Sequence, residues 1–400
     1  MFRGFFIKKY DLVQVSMCRK TKLLTRFVMN KILCLCILLF SACCALAQPA
    51  AEPPVFTVIK KNEYTPIKNQ ANTGTCWSFS TTSLVESQTI HNGLGTVDIS
   101  EMYTVRNIYT EKARNYILRQ GTAQFGPGGL GHDVIRAIAA YGAVPESAYS
   151  GLPLGQKNHD HSKLDARLKT YLDSLLKVRP IPADWMKGFQ GILDETLGKA
   201  PETFTYGERQ YTPKSFATDV LHFKADDYVN ITSFSHHPFY TSFILEAPDN
   251  FSNGSYYNLP LEEMIKLTER AVEQGYSIMW DADVSNECFR NKEGFVLQWK
   301  DGKVPAKPTP DDEELKYTQV IRQMLYENLT TQDDHLMHLV GLEKSKGGKK
   351  FFMVKNSWGE YGPTKGLVHV SEAYFAINTV SLVVPKAAID KALLTKLGIQ

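Results

Sequence analysis

In SEMYTVRNIYTEKARNYILRQ the apolar residues Met102, Val105, Ile108, Tyr109 and Ala113 fall one helical turn apart, the stripe of an amphipathic helix. GHDVIRAIAAYGAVPESAY predicts a further helix, stopped by Gly142 and Pro145. Ahead of both, the stretch from Cys76 to about Ile90 has no internal glycine or proline and is closed by Asn92-Gly93, so it reads as a helix that begins on a cysteine. From Gly151 to Ala200 the chain turns more polar, with long charged side chains in DARLKTYLDSLLKVRP, and predicts a helical insertion. Beyond it, YVNITSFSHHPFY and YSIMWDADV are rich in strand formers and flank the amphipathic LEEMIKLTERAVEQGY. From His335 onward short strands alternate with turns: HLMHLVGLE, KFFMVKNSW, GLVHVSE and VSLVVP. Between the first two of these, EKSKGGKK is a basic hairpin expected to stand in solvent.

Helices first and strands later imply an α+β fold. The division that follows is 48–150 as a helical lobe with Cys76, 151–205 as the insertion, and 206–400 as the remainder, ending in a β-rich lobe with His335 and Asn356. Four hundred residues suit two lobes or one large domain with an insertion. Composition changes this picture only at the N-terminus. From Met29, MNKILCLCILLFSACCALAQ has a basic start, an apolar run and small residues ending in Ala45-Leu46-Ala47, the pattern of a secretory signal. The expectation is therefore an export segment at 1–47, with the true start at Met29, and a periplasmic or secreted protein; FSAC up to Cys43 leaves a lipid anchor as the alternative. The first 47 residues hold eight Lys/Arg and one Asp. Without them 37 basic residues face 41 acidic ones, which gives no reason to expect a nucleic-acid partner. Five of seven cysteines also fall in that segment, leaving Cys76 and Cys288. Neither a disulfide framework nor a CxxC-type metal site follows, and no metal or cofactor is expected.

The candidate chemistry starts at NQANTGTCWSFS. A thiol in the first turn of a helix feels unsatisfied amides, which favour thiolate over thiol, with Thr75 as the cap. Gly74 leaves room for a substrate carbonyl. A thiolate nucleophile also needs a base, an orienting group for that base and an oxyanion donor. Gln70 offers an amide NH2. In DDHLMHLVGL, strand alternation sets His335, Met337 and Leu339 on one face and Leu336, His338 and Val340 on the other, so the two histidines cannot converge. His335, at the strand entrance, is the better base and His338 a packed or surface residue. In KNSWGEYG, Asn356 can accept from one imidazole nitrogen and Trp358 can shield that bond.

Taken together, Q-x5-C-W-S-F, then Gly128-Gly129, then His335 with Gly341 six residues on, then Asn356-Ser357-Trp358-Gly359, resemble the papain-type cysteine peptidases. Within them the chain resembles the bleomycin hydrolase and aminopeptidase C branch, through PETFTYGERQYTPKSF, DDYVNITSF and YGAVPESAY, over roughly residues 62–389. The resemblance implies a two-lobed papain-like fold and an exported aminopeptidase acting on peptides without cofactor. It implies Cys76 as nucleophile, His335 as base, Asn356 as its orienter, Gln70 with the Cys76 amide as oxyanion donors, and Gly128, Gly129 and Trp358 on the substrate side. Asp283 in WDADV is a further candidate near the pocket. Relatives carry a C-terminal arm that limits cutting to N-terminal residues, and it is expected to be missing here, which leaves dipeptidyl-peptidase or endopeptidase activity open. A non-catalytic papain-like binding module and a Cys-dependent acyl transferase are the other readings. A homo-oligomer, hexameric in relatives, is implied by resemblance alone.

Overall fold

A computed structural model describes residues 55–400. The export segment 1–47, the start at Met29 and the lipid site Cys43 lie outside the described residues. Among the described residues the helices are α1 (Cys76–His91), α2 (Glu101–Leu118), α3 (Gly131–Tyr141), α4 (Leu164–Leu175), α5 (Trp185–Leu197), α6 (Pro213–Asp219), α7 (Leu261–Glu273), α8 (Gln319–Glu327), α9 (Glu372–Asn378) and α10 (Lys391–Lys396). The strands are β1 (Thr57–Lys61), β2 (Phe204–Tyr206), β3 (Arg209–Tyr211), β4 (Tyr228–Thr232), β5 (Ser242–Ile244), β6 (Ser255–Asn258), β7 (Ile278–Ala282), β8 (Phe295–Val296), β9 (His335–Lys344), β10 (Lys350–Lys355), β11 (Leu367–Ser371) and β12 (Thr379–Pro385).

Ten strands join one mixed sheet in the order β5-β6-β4-β12-β7-β9-β10-β11-β8, with β1 paired to the second half of β9. Only β4 with β6 and β11 with β8 run parallel. The central strands β7 and β12 are buried along their whole length, and β9 in all but its last residue, as expected of strands covered on both faces. The sheet separates two apolar cores. On one face Met279, Leu336 and Val383 pack with α1 to α6; on the other, Trp280, Met337, Leu339 and Phe351 pack with α7, α9 and α10. The predicted alternation in β9 is thus realised. Helices α4 and α5 send Leu168, Leu172, Phe189 and Leu193 into the same core as α1.

Helix α1 is the exception to amphipathic design. Thirteen of its sixteen residues are buried, many of them Ser or Thr. A helix buried all round must satisfy its hydroxyls internally. Ser80 and Thr89 bond the carbonyls of Trp77 and Val85, and Ser78 bonds that of Glu101, whereas the hydroxyls of Thr81, Thr82 and Ser87 are buried without a partner. Thr75 occupies the cap position, but its hydroxyl pairs with Thr73 Oγ1 at 2.6 Å and caps no amide. The cap expected from the sequence is therefore absent, because a neighbouring hydroxyl competes for Thr75. The basic hairpin stands in solvent as expected, with Lys344, Lys346, Gly347, Gly348 and Lys350 exposed, and it is anchored at its base. Ser345 is buried, Gly347 N–H donates to Asp311 Oδ2 at 3.0 Å, and Lys349 approaches Glu314 at 3.4 Å. The acidic run 311–314 supplies the matching charge.

Gly142 ends α3 with φ +83°, and a Cβ there would lie 2.2 Å from the Pro213 carbonyl. Gly142→Ala therefore combines left-handed strain with a backbone overlap. The expected outcome is a loss of about 1–3 kcal/mol in chemical denaturation; unchanged stability would show that the loop before α6 simply moves aside.

Candidate active site

Two loops far apart in sequence are spliced together at the head of α1. Gln70 N–H donates to the Ser357 carbonyl (2.8 Å), Gly359 N–H to that of Lys68 (3.0 Å), and Asn69 bridges Trp358. The Gln70 side chain seals the join: its Oε1 accepts from Ser357 Oγ at 2.6 Å and its Nε2 donates to Thr73 O at 2.7 Å. One of the two amide hydrogens is thereby engaged inside its own loop.

Cys76 opens α1 and is 8% exposed. The main chain of Leu336 hydrogen-bonds the sulfur, which seats the thiol one residue from His335. His335 Nε2 lies 2.8 Å from Asn356 Oδ1. The same Oδ1 accepts from Ser357 N–H at 2.8 Å, which fixes which end of the amide is oxygen. Nε2 must then carry the hydrogen, and Nδ1 is left as a proton acceptor. The Trp358 indole lies over the imidazole, ring centres 4.8 Å apart and tilted by 32°, covering that bond from solvent.

His338 behaves as a packed histidine. It is buried on the α1 side of the sheet, with Nδ1 2.9 Å from Ser83 Oγ. Ser83 also accepts from the Lys355 ammonium at 2.8 Å, and Lys355 reaches Thr65 at 3.0 Å. Burial pulls Lys355 down to about 8. Behind Asn356 there is thus a buried polar seam, continued by Glu86, which burial raises to about 7.

Gly128 and Gly129 face the same region from the α2–α3 loop. A side chain on Gly128 would overlap the Asp249 carboxylate, and one on Gly129 would lie 3.0 Å from the Trp77 indole. Trp77 Nε1 donates to Pro127 O at 2.9 Å, and Lys112 donates to the carbonyls of Gly126 and Gly128. The glycine pair is accordingly held from both sides rather than left as a free turn.

Asp283 is a correction. It is 1% exposed and ties its own loop, accepting from Ser285 N–H (2.9 Å), Asn286 Nδ2 (3.2 Å) and Gln332 N–H (3.0 Å), so its carboxylate serves the loop rather than an open pocket. The carboxyls that act on the thiol are instead Asp281, Asp249 and Asp333. Strand alternation in YSIMWDADV could have singled out Asp281 as the polar residue opposite Trp280; nothing in the sequence joins Asp249 to it. Elsewhere His236, His237 and Glu246 cluster at the surface. Gln323 Oε1 accepts from Ser235 N–H, so its Nε2 donates to His236 Nδ1 and leaves the His236 Nε2–H pointing at Glu246. That ring is satisfied as a hydrogen-bonding unit.

The thiolate expected from the helix terminus is opposed by the fold. Burial, first, and then the three aspartates push the Cys76 thiol up to about 12, against the Leu336 bond that lowers it. A helix terminus is worth about 0.3–1 kcal/mol, while a tenfold change in acidity costs about 1.4 kcal/mol, so desolvation wins. Burial likewise lowers His335, against the Asn356 bond.

The structure thus sets Cys76 against the main chain of Leu336, one residue from an imidazole whose ring Asn356 orients, and the class of protein follows from its relatives. The chain belongs to the Peptidase C1-like family, whose match spans residues 128–399, and is a cysteine-type peptidase; the Papain family cysteine protease description matches residues 53–163. Aminopeptidase G of Lactobacillus delbrueckii subsp. lactis is 24% identical over 386 residues, covering 81% of this chain and 82% of its own. Aminopeptidase C of Lactococcus lactis subsp. cremoris is 23% identical over 378 residues, 84% of each chain. The crystal structure of PepW from Lactobacillus rhamnosis superimposes with a TM-score of 0.68 at 20% identity, covering 98% of this chain and 95% of that one, a likeness of fold.

The raised thiol gives a pH test. Iodoacetamide labelling of Cys76 in the unliganded protein, followed by peptide mass mapping to separate it from buried Cys288, is expected to rise on the alkaline side of pH 9. Asp281→Asn removes a nearby negative charge, stabilises thiolate and moves the profile to lower pH. A profile unchanged by the substitution would remove Asp281 from the causes of the shift.

Proposed function

We propose that the protein is an aminopeptidase that hydrolyses peptide bonds through Cys76, His335, Asn356 and Gln70. The observation that carries the reading is the His335 Nε2 to Asn356 Oδ1 bond of 2.8 Å on a ring adjacent to the residue that bonds the thiol. The names of the relatives, aminopeptidases G and C, support the substrate class.

In the proposed reaction the Cys76 sulfur attacks the scissile carbonyl carbon while its proton passes to His335 Nδ1. The carbonyl oxygen becomes an oxyanion and takes hydrogen bonds from the Cys76 amide and the remaining Gln70 amide hydrogen. Collapse breaks the C–N bond, and the imidazolium gives its proton to the leaving amine. Water then attacks the thioester, losing a proton to the same nitrogen, and the acid leaves as sulfur is reprotonated. Asn356 holds one tautomer and one ring orientation throughout. A neutral thiol at rest is compatible with this sequence, since proton transfer and attack occur together once substrate occupies the cleft. Export to the periplasm or the medium is part of the proposal and rests on residues 29–47; N-terminal sequencing of the mature protein is expected to begin at Gln48.

Cys76→Ala is expected to abolish turnover of an aminoacyl amide reporter, and Asn356→Ala to lower kcat on the order of 10²-fold through ring misplacement. Mass analysis of fragments from a mixed peptide library is expected to show single N-terminal residues released. Full activity in Cys76→Ala would end the mechanism, and internal cleavage would replace aminopeptidase with endopeptidase.

A further inference from the structure

Behind Cys76, His335 and Asn356, the same stretches of chain carry a second set of polar residues, and these also meet. Ser83 lies seven residues after Cys76 on α1, two helical turns on and therefore on the same face. His338 follows His335 by three on β9, and Lys355 ends β10 directly before Asn356. In the sheet Lys355 stands opposite His338. All three are buried. The Lys355 ammonium donates to Ser83 Oγ at 2.8 Å, and that hydroxyl in turn lies 2.9 Å from His338 Nδ1. Burial, and then the Lys355 charge, hold His338 well below the usual histidine range, so the ring is neutral and its Nδ1 can accept.

A second branch leaves the same ammonium. It donates to Thr65 Oγ1 at 3.0 Å, and Thr65 donates to the Glu86 carboxylate, whose other oxygen accepts from Ile99 N–H at 2.8 Å. Thr65 belongs to the segment that runs on to Gln70. Lys355 is therefore the first donor of both branches, and it ties α1, β9, β10 and the segment before Gln70 at one point. Glu86 on α1, Glu101 on α2 and Asp98 just before α2 face it together with Lys68, which pairs with all three carboxylates, and the Tyr64 ring centre lies 5.7 Å from the ammonium. Burial, with Lys68 beside it, pulls Lys355 down to about 8 against those carboxylates. Removing a buried donor that heads two hydrogen-bond chains is costly, because the oxygens it served are left without one.

We propose that Lys355, acting through Ser83 and His338, is a positioning residue for the peptidase reaction: it fixes the spacing of α1, β9 and β10 and so the distances among Cys76, His335 and Asn356. The proposal rests on the peptidase reading above and adds to it residues that touch neither substrate nor the reacting atoms. Slippage of any one of the three elements moves a member of both sets together, and a misplacement of about 1 Å between reacting groups costs on the order of 100-fold in rate.

The test measures kcat and KM for an aminoacyl amide reporter across pH in the wild type, Ser83→Ala, Lys355→Met and the double variant, each corrected for the folded fraction read from its urea denaturation curve. Ser83→Ala is expected to lower kcat on the order of tenfold with KM changed less than about twofold, since no substrate contact is touched, and Lys355→Met to lower it at least as far. The double variant is expected within about twofold of Lys355→Met, because both substitutions break one network. In the wild type kcat is expected to fall as the pH passes about 8 and the ammonium loses its proton, and Lys355→Met is expected to lack that fall. Ser83→Ala keeps the buried charges paired, so it still decides the matter if Lys355→Met does not fold. An unchanged kcat in Ser83→Ala, losses that add in the double variant, or the same alkaline fall in Lys355→Met would overturn the positioning role. Turnover persisting in Cys76→Ala would instead overturn the peptidase reading, so the two failures are distinct.

Discussion

Helix α1 lies against β9, and everything in the site follows from that contact. Burying its many hydroxyls costs free energy, so what holds the helix in the middle of the molecule is the packing of Trp77, Phe79, Leu84 and Val85 between the sheet and α2 and α3. Its first residue then meets the entrance of a strand that begins 259 positions later in the chain. Loop closure over such a span costs free energy only slowly with length, and the buried face of β9 repays it. The bridge between residues 68–70 and 357–359 fixes the last degree of freedom, because it holds Gln70 and Asn356 in one hydrogen-bonded unit.

The long, strongly patterned elements were legible in the sequence. Helices α1, α2, α3 and α7 and strands β4, β7, β9, β10, β11 and β12 lie where the periodicity of their residues puts them. The alternation of His335 and His338 across β9 was readable too, because a two-residue period leaves no choice of face once one side is buried. What escaped were short pieces whose existence depends on a neighbour: β1, the β2–β3 hairpin, β5, β6, β8, and helices α6, α8, α9 and α10. Strand β8, Phe295-Val296, exists only because β11 offers it a parallel edge. Helix α9 is one such case, seven residues nucleated by the Ser371 cap on Tyr374 N–H.

The chemistry shows the same division. Cys76, His335, Asn356 and Gln70 are candidates because they belong to motifs with fixed spacing, whereas the carboxyls that act on the thiol, at 249, 281 and 333, share no local pattern. Asp283 was singled out in place of Asp281 because both sit in the same five letters, WDADV. Only the strand end distinguishes them: Asp281 is inside the ladder and must point to one face, while Asp283 lies past it and folds back on its own loop. The thiol shows a related contrast, since burial opposes what the helix terminus favours. A helix terminus can be seen in sequence, and burial cannot.

The loop bearing Asp249 hangs from β5, the outermost strand of the sheet that carries His335 five strands further in, beyond β6, β4, β12 and β7. Cleft wall and imidazole therefore share one continuous ladder of main-chain bonds. Each strand along that path is hydrogen-bonded to the next, so the ladder carries the position of the wall and only the loop itself is free to adjust.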